Sequence, residues 1–487
     1  MEIDGELCSR CEPMFSTLEN LTNLKYRHGS QGYRHYKRRE LMESASKGCK
    51  LCKILWSETR SSWRDGNDQQ LLFRAHSDYF VTHEQSGYDM HPFFNAGKDL
   101  FINLSLLSAN DGHERYITTF ILITAADNSA AKYIEARPIP NDLSDRQTQS
   151  QIQTWLRDCQ ENHQCSEEMA VPKLPTRVLD LSNSKSQPRL HISATNERSH
   201  YACLSYCWGG PQEVLTTKAN LHEYAKRLPV DRLPKTLQDA ISVSKTLGLR
   251  FLWIDALCII QNSDEDKAVE INKMGSIYRD ATVTIFAASA SRVGDGFLQH
   301  RSSDEGGVLL PFYVSDSSQG TVTLLLQESP YTPNEPLDSR AWVVQETLLS
   351  RRRLIYGTKE LLWKCQEDDY QTVTVSPRSY DMLVTSLPGD IFSPIQDSLV
   401  KRQKETDIPR AQSWSIIVKN FTSRGMTNRE DRLPAIGGVA AELQKLWKDE
   451  YIIGTWRSTL AKHLMWYRLK SHPSASLPRP VEYRSPT

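Results

Sequence analysis

The chain of 487 residues has no excess of charge of either sign: 59 Lys and Arg balance 59 Asp and Glu. No global field therefore draws it to nucleic acid or to an anionic membrane surface, and neither is expected as a partner. It also lacks a long apolar run. The longest, Phe251 to Ile260, includes Asp255 and is too short and too charged to span a bilayer. The N-terminus carries Glu2, Asp4 and Glu6 where a secretory signal would have a basic segment and then an apolar one, so export is not expected. The expected compartment is the cytoplasm, with the nucleus as the other one open to it. Glycine-rich phosphate loops are missing too: Gly209-Gly210 and Gly294-x-Gly296 fit neither a Walker nor a dinucleotide fingerprint. Ser205 lacks the G-x-S-x-G elbow that would expose its hydroxyl. No His is spaced to act as a base for Ser205, Cys207 or Cys258, so a Ser–His or Cys–His hydrolase is not indicated.

What is present in quantity is cysteine in clusters. In a reducing compartment the 10 cysteines are expected as thiols or metal ligands rather than disulfides. Cys8 with Cys11 and Cys49 with Cys52 form two C-x-x-C pairs. Each pair spans a tight turn that points both sulfurs one way, and two pairs supply the four thiolates of a tetrahedral zinc site. The long stretch from Cys11 to Cys49 must then fold back on itself. The alternative is that Cys49 and Cys52 pack as small apolar residues on a helix beside Leu51, Ile54 and Leu55. Cys159, His163 and Cys165 make a third compact group. It reads as three ligands needing a fourth partner, as ligands exchanging with either pair, or as a helix end with buried Cys and a solvated His. Tyr26, Arg27, Tyr33, Arg34, Tyr36, Lys37, Arg38 and Arg39 interleave aromatics with cations, as single-strand nucleic-acid binders do. The neutral net charge favours a solvated face.

The pattern along the chain predicts an α/β fold: a doubly wound, mostly parallel sheet with an N-terminal Cys-rich and β cap and a mainly helical C-terminal region. Short β-branched and aromatic runs at Leu71–Phe73, Leu100–Leu104 and Tyr116–Ile123 suggest a small sheet. A polar helix from Asp142 to Arg157 and a strand at Arg177–Leu181 follow. The most regular block comes next. Tyr201–Tyr206 reads as a strand, Pro234–Leu247 as a helix closed by Gly248, and Phe251–Ile254 as a buried strand. A helix capped by Ser263 or Asp264 and a strand at Val283–Ala288 complete it. Such alternation makes a doubly wound unit whose ligand crevice lies at the carboxyl ends of its strands. Arg340–Leu349 reads as a helix, Arg353–Tyr356 and Leu361–Cys365 as a hairpin, and 409–424 and 431–447 as amphipathic helices. The Ser- and Pro-rich tail is expected to be disordered. The resulting division is residues 1–170, a Cys-bearing cap and small sheet; 171–350, the doubly wound domain; 351–470, a mixed α/β region; and 471–487, the tail.

Three strings stand out: Tyr201 to Gly209 (YACLSYCWG), Leu252 to Gln261 (LWIDALCIIQ) and Arg340 to Glu346 (RAWVVQE). Together with Met274, Gly275, Ile277 and Tyr278 they resemble the fungal heterokaryon incompatibility (HET) domain. Its pattern runs as Y-x-x-L-S-Y-x-W-G, then L-W-I-D-x-L-C-I-x-Q, then M-x-x-I-Y in a helix, and finally R-x-W-x-x-Q-E. The flanks resemble those of HET-bearing proteins as well: the two cysteine pairs, Trp155 with Cys159, His163 and Cys165, Leu174-Pro175-x-Arg177, Asp431 to Ala435, Gly454-x-Trp456 and Leu464-x-Trp466. In longer members a string like Tyr483-Arg484-Ser485-Pro486-Thr487 continues into a Trp-rich segment, whereas this sequence stops there. That reads as a shortened member or a missing terminal sheet. The resemblance implies a signalling module in non-self recognition and programmed cell death, with self-association or other proteins of the incompatibility system as partners. It also implies a core like that of Toll/interleukin-1 receptor (TIR) domains, some of which cleave NAD with a glutamate.

Within these strings the chemistry has two readings. Asp255, at the end of a buried strand, either accepts backbone N–H bonds and an Arg partner or faces the crevice as an acid. Glu346 either pairs with Arg340 or holds a ribose while nicotinamide departs, steadying an oxocarbenium-like centre. Glu346 is the first candidate for that catalytic role and Asp255 the second. A ligand there would be bordered by Tyr206, Trp208, Arg340 and Trp342; the rings of Trp208, Trp253 and Trp342 either stack on it or, as large aromatics more often do, pack in the core. Three functional classes follow. The favoured one is the signalling module. The second is an enzyme, as a TIR-like NAD hydrolase or a tailoring enzyme of secondary metabolism, with NAD as substrate in the first case. The third is a zinc-stabilised scaffold.

Overall fold

The computed structural model describes residues 7–24, 32–63, 69–76, 101–108, 112–163, 165, 171–181, 187–299, 307–326, 335–367, 371–372 and 410–463. The C-terminal tail and the string around Trp466 lie outside these residues, as do Tyr26 and Arg27 of the aromatic and basic run. The chain folds as mixed α/β with two large sheets.

The first sheet is antiparallel throughout. It contains β1 (Tyr33–Lys37), β2 (Gln69–His76), β3 (Phe101–Ser108), β4 (Glu114–Ile123), β10 (Val308–Ser315) and β11 (Ser318–Leu326), in the order β1-β2-β3-β4-β11-β10. Burial alternates along β11, as expected when one face packs on a core and the other meets water. Helices α1 (Leu18–Leu24), α2 (Arg38–Ser46) and α3 (Lys50–Thr59) accompany it. Leu21, Leu41, Leu51 and Leu55 join Phe73, Leu104 and Phe312 in one core.

The second sheet has eight strands. These are β5 (Arg177–Asp180), β6 (Arg189–Ile192), β7 (Tyr201–Ser205), β8 (Phe251–Trp253), β9 (Val283–Phe286), β12 (Arg352–Tyr356), β13 (Leu361–Cys365) and β14 (Gln371–Thr372). Their order is β14-β13-β12-β9-β7-β8-β5-β6. Only the centre is parallel: β12 with β9, β9 with β7, and β7 with β8. The edges pair antiparallel. The expected mostly parallel sheet is thus a mixed one, because the hairpin β12–β13 and the strands β5 and β6 extend the parallel centre on both sides. Every residue of β7, β8, β9, β12 and β13 is buried, and β8, covered on both faces, accordingly reads as a continuous apolar run.

The sheets also cross the boundaries read from sequence. Residues 308–326 hydrogen-bond into the N-terminal sheet, and residues 352–365 into the central one. Helix α4 (Arg146–Asn162) leads into this sheet, and the helices between its parallel strands are α5 (Leu221–Lys226), α6 (Lys235–Thr246), α7 (Asp255–Cys258), α8 (Asp264–Asp280) and α9 (Trp342–Leu349). Pro234 stands at the N-cap of α6, and Gly248, with φ +71°, donates to Lys245 O just past its end. Ser263 caps α8 by accepting from Asp266 N. The helix expected from Arg340 begins two residues later, at Trp342. Helices α10 (Arg410–Ser423) and α11 (Pro434–Trp447) form a third core around Trp414, Trp447 and Trp456.

Candidate functional site: a carboxylate crevice and two cysteine clusters

The loops after β7 and β8 meet at the carboxyl ends of the parallel strands. Asp255 is not the last residue of a strand, as expected, but the first of the one-turn helix α7. Local bonds turn the chain there. Leu257 and Cys258 donate back to Ile254 O, and Thr216 from the loop after β7 accepts from Gln261 N and donates to Ala256 O and Leu257 O. Gly209 completes the junction. Its φ is +69°, and a Cβ on it would lie 2.6 Å from Arg292 Cα, so only glycine fits where this loop meets the one after β9.

Asp255 is half-buried, and its carboxylate is held from two sides. Trp208 Nε1 donates to Oδ2 at 2.9 Å, and Ala256 N donates to Oδ1 at 2.6 Å. Burial pushes its pKa up, while Arg340, Trp208 and Ala256 pull it back. Arg340 precedes α9 and donates through Nη1 to the Tyr206 carbonyl. Burial would lower the guanidinium, but the charges of Glu346 and Asp255 keep it above its ordinary value. Tyr206 is buried and exchanges hydrogen bonds with Gln212, whose Nε2 lies 3.0 Å from its hydroxyl. Glu346 lies on α9 and is only 3% exposed. Burial raises its pKa to about 7 against the opposing pull of Arg340. Ser205 is close enough to favour the charged form, yet neither Ser205 Oγ nor Glu346 Oε2 completes a hydrogen bond. The structure thus brings Tyr206, Trp208, Asp255, Arg340 and Glu346 into one electrostatic group. Trp342 packs instead between the central and C-terminal cores. Arg424, which no string in the sequence singles out, also lowers the Glu346 pKa and reaches Asp338 at 3.7 Å.

Seven of the ten cysteines, with His163, fall into two clusters, each with four ligand atoms within 4.8 Å of one another. The first unites both C-x-x-C pairs. Cys11 Sγ lies 3.5 Å from Cys8, 3.6 Å from Cys52 and 3.7 Å from Cys49. Cys8 and Cys11 flank a turn before α1, whereas Cys49 is the N-cap of α3 and Cys52 lies in its first turn. His35 on β1 places Nε2 3.3 Å from Cys11 Sγ, and burial lowers its pKa to about 4. The second cluster supplies the partner that Cys159, His163 and Cys165 lacked. It is Cys365, the last residue of β13, whose Sγ lies 3.4 Å from His163 Nδ1. No ligand is exchanged with the first cluster. Both groups could hold a metal ion.

The segment from β7 to Glu346, the one that builds the crevice, defines the class of the protein. Residues 201–346 match the family model described as Heterokaryon incompatibility protein (HET). Residues 201–346 are thus a HET domain, as the three strings imply. Comparison with curated proteins and with solved structures gives no match. Among the described residues no helix is long and apolar enough to cross a membrane.

Proposed function

We propose that this HET domain is a signalling and interaction module of fungal non-self recognition. It would act by self-association, or by association with other proteins of the incompatibility system, to trigger cell death. The observation supporting this over catalysis is how the crevice spends its polar groups. Trp208 and the backbone of α7 occupy both oxygens of Asp255, Arg340 donates to a backbone carbonyl, and Glu346 is shut away from solvent. Such carboxylates organise strand ends rather than meet a substrate. The parallel centre β12-β9-β7-β8, with α6 and α8 between its strands, supports a TIR-like core. The test is to incubate the purified full chain with NAD, follow nicotinamide release, and measure molar mass over a concentration series. No release together with rising mass supports the module.

A second reading has one observation in its favour. Glu346 near neutrality and Asp255 beside the same guanidinium are two carboxyls whose environments differ, the pattern of an acid paired with a carboxylate. It gives a TIR-like NAD hydrolase, or a tailoring enzyme using the same crevice. Nicotinamide release that vanishes in Glu346→Gln with folding unchanged would establish the hydrolase.

For the first cluster we propose zinc. A tetrahedral ion with Zn–S bonds of about 2.3 Å sets sulfurs about 3.8 Å apart; four of the six separations here are 3.5–3.7 Å, and all lie within 4.8 Å. Cys8, Cys11, Cys49 and Cys52 would hold it, fastening the N-terminal turn to α3. The His35 ring beside Cys11 suits an N–H···S bond that steadies a thiolate.

A further inference from the structure

We infer that Cys159, His163, Cys165 and Cys365 form a second structural zinc centre, of three thiolates and one imidazole, that clamps the helix before the HET domain to the strand hairpin after it. Cys159 lies in the last turn of α4, His163 is its C-cap, and Cys165 follows two residues on. Cys365 arrives from 202 residues beyond His163. For zinc, with Zn–N near 2.0–2.1 Å, a tetrahedral S···N edge is about 3.6 Å, and Cys365 Sγ to His163 Nδ1 is 3.4 Å. Soft sulfur donors with one imidazole in a closed tetrahedral set select zinc over the hard cations.

Charge points the same way. Three thiolates around a divalent ion leave one net negative charge in the core, and a buried charge needs a partner. Arg352 on β12, only 1% exposed, supplies it: its Nε donates to Cys159 Sγ at 3.1 Å. A guanidinium buried against sulfur fits a metal thiolate better than a neutral thiol. The two centres serve different cores. Cys159, Cys165 and Cys365 belong to that of the central sheet, whereas Cys11, Cys49 and Cys52 belong to the N-terminal one. Beside the second centre Trp155 stacks on Trp363, centroids 6.5 Å apart and planes 19° apart. One turn separates Trp155 from Cys159 on α4, and Trp363 shares a face of β13 with Cys365. The stack keeps α4 docked when a ligand is removed, so variants of the centre should fold.

The experiment is zinc analysis of the purified full chain. It should hold about two zinc ions, falling to about one in Cys365→Ser, about one in Cys49→Ser and none in the double variant. A Cys365→Ser protein with the parent's zinc content overturns the proposal, as does a parent with a single ion that Cys49→Ser removes. Should Cys365→Ser fail to fold, cobalt(II) added to zinc-stripped Cys49→Ser protein decides. Tetrahedral cobalt absorption with thiolate charge-transfer bands is expected, and its absence overturns the centre even if the first cluster proves to hold zinc.

Discussion

Trp208 Nε1 donates to Asp255 Oδ2 at 2.9 Å, and this one bond ties the loop after β7 to the helix turn after β8. Two residues 47 positions apart thereby fix the geometry of the crevice floor. Replacing Trp208 with Phe keeps an aromatic ring and deletes the donor. A hydrogen bond to a charged group contributes about 1.5–3 kcal/mol, and Asp255 is half-buried, which places the loss at the low end. Urea unfolding should show a lower midpoint with an unchanged slope. An unchanged midpoint would show that water replaces the indole at no cost.

Glu346 gives a pH dependence. Its pKa rises from 4.5 to about 7 on folding, chiefly through burial. Between these values the folded protein keeps a proton that the unfolded chain releases. The carboxyl's contribution to stability is therefore full below about pH 4.5, declines as pH rises, and is lost above about pH 7. Each pKa unit is about 1.36 kcal/mol, so the window amounts to about 3 kcal/mol. Glu346→Gln should flatten this slope and gain stability relative to the parent at pH 8. Parallel stability profiles for the two proteins would refute the assignment.

Helices α8 and α11 touch through two glycines. A Cβ on Gly438 would lie 2.9 Å from Gly275 Cα and 2.5 Å from Gln345 Oε1, which accepts from Gly438 N at 2.9 Å. Gly438→Ala should force the helices apart and break that bond, costing about 1–3 kcal/mol as overpacking does. Thermal unfolding measures it. A melting temperature equal to the parent's would mean that the crossing can relax.

The zinc proposed for the first cluster predicts that Cys49→Ser loses that ion and melts at lower temperature, because metal binding free energy is folding free energy. Excess chelator should lower the parent's melting temperature and leave the variant's less affected. Equal effects on both would argue that the four thiols simply pack.

How much of this was legible in the sequence follows distance along the chain. The strands β7, β8 and β9 and the caps of α6 and α8 announce themselves, because each rests on neighbours within a few residues. The two C-x-x-C pairs signal one another by their repeated spacing although Cys11 and Cys49 stand 38 positions apart. Cys365 gives no such signal. It stands alone in an apolar strand, and only the antiparallel hairpin β12–β13 carries it to the end of α4. Arg424 is hidden for the same reason: the backbone bridge between Arg340 and Gly425 brings it to the crevice. Asp255 misleads because Phe251 to Ile254 is continuously apolar. The helical turn after it is set by Thr216, about 40 residues earlier.

The central proposal is that the HET domain signals by association, with no catalytic part for Glu346. Induced expression of the parent chain and of Glu346→Gln in fungal hyphae, at matched protein levels, tests it most directly by counting dead cells. The account predicts death with the parent and as much death with Glu346→Gln. Loss of killing in the variant, or none with the parent, would contradict it.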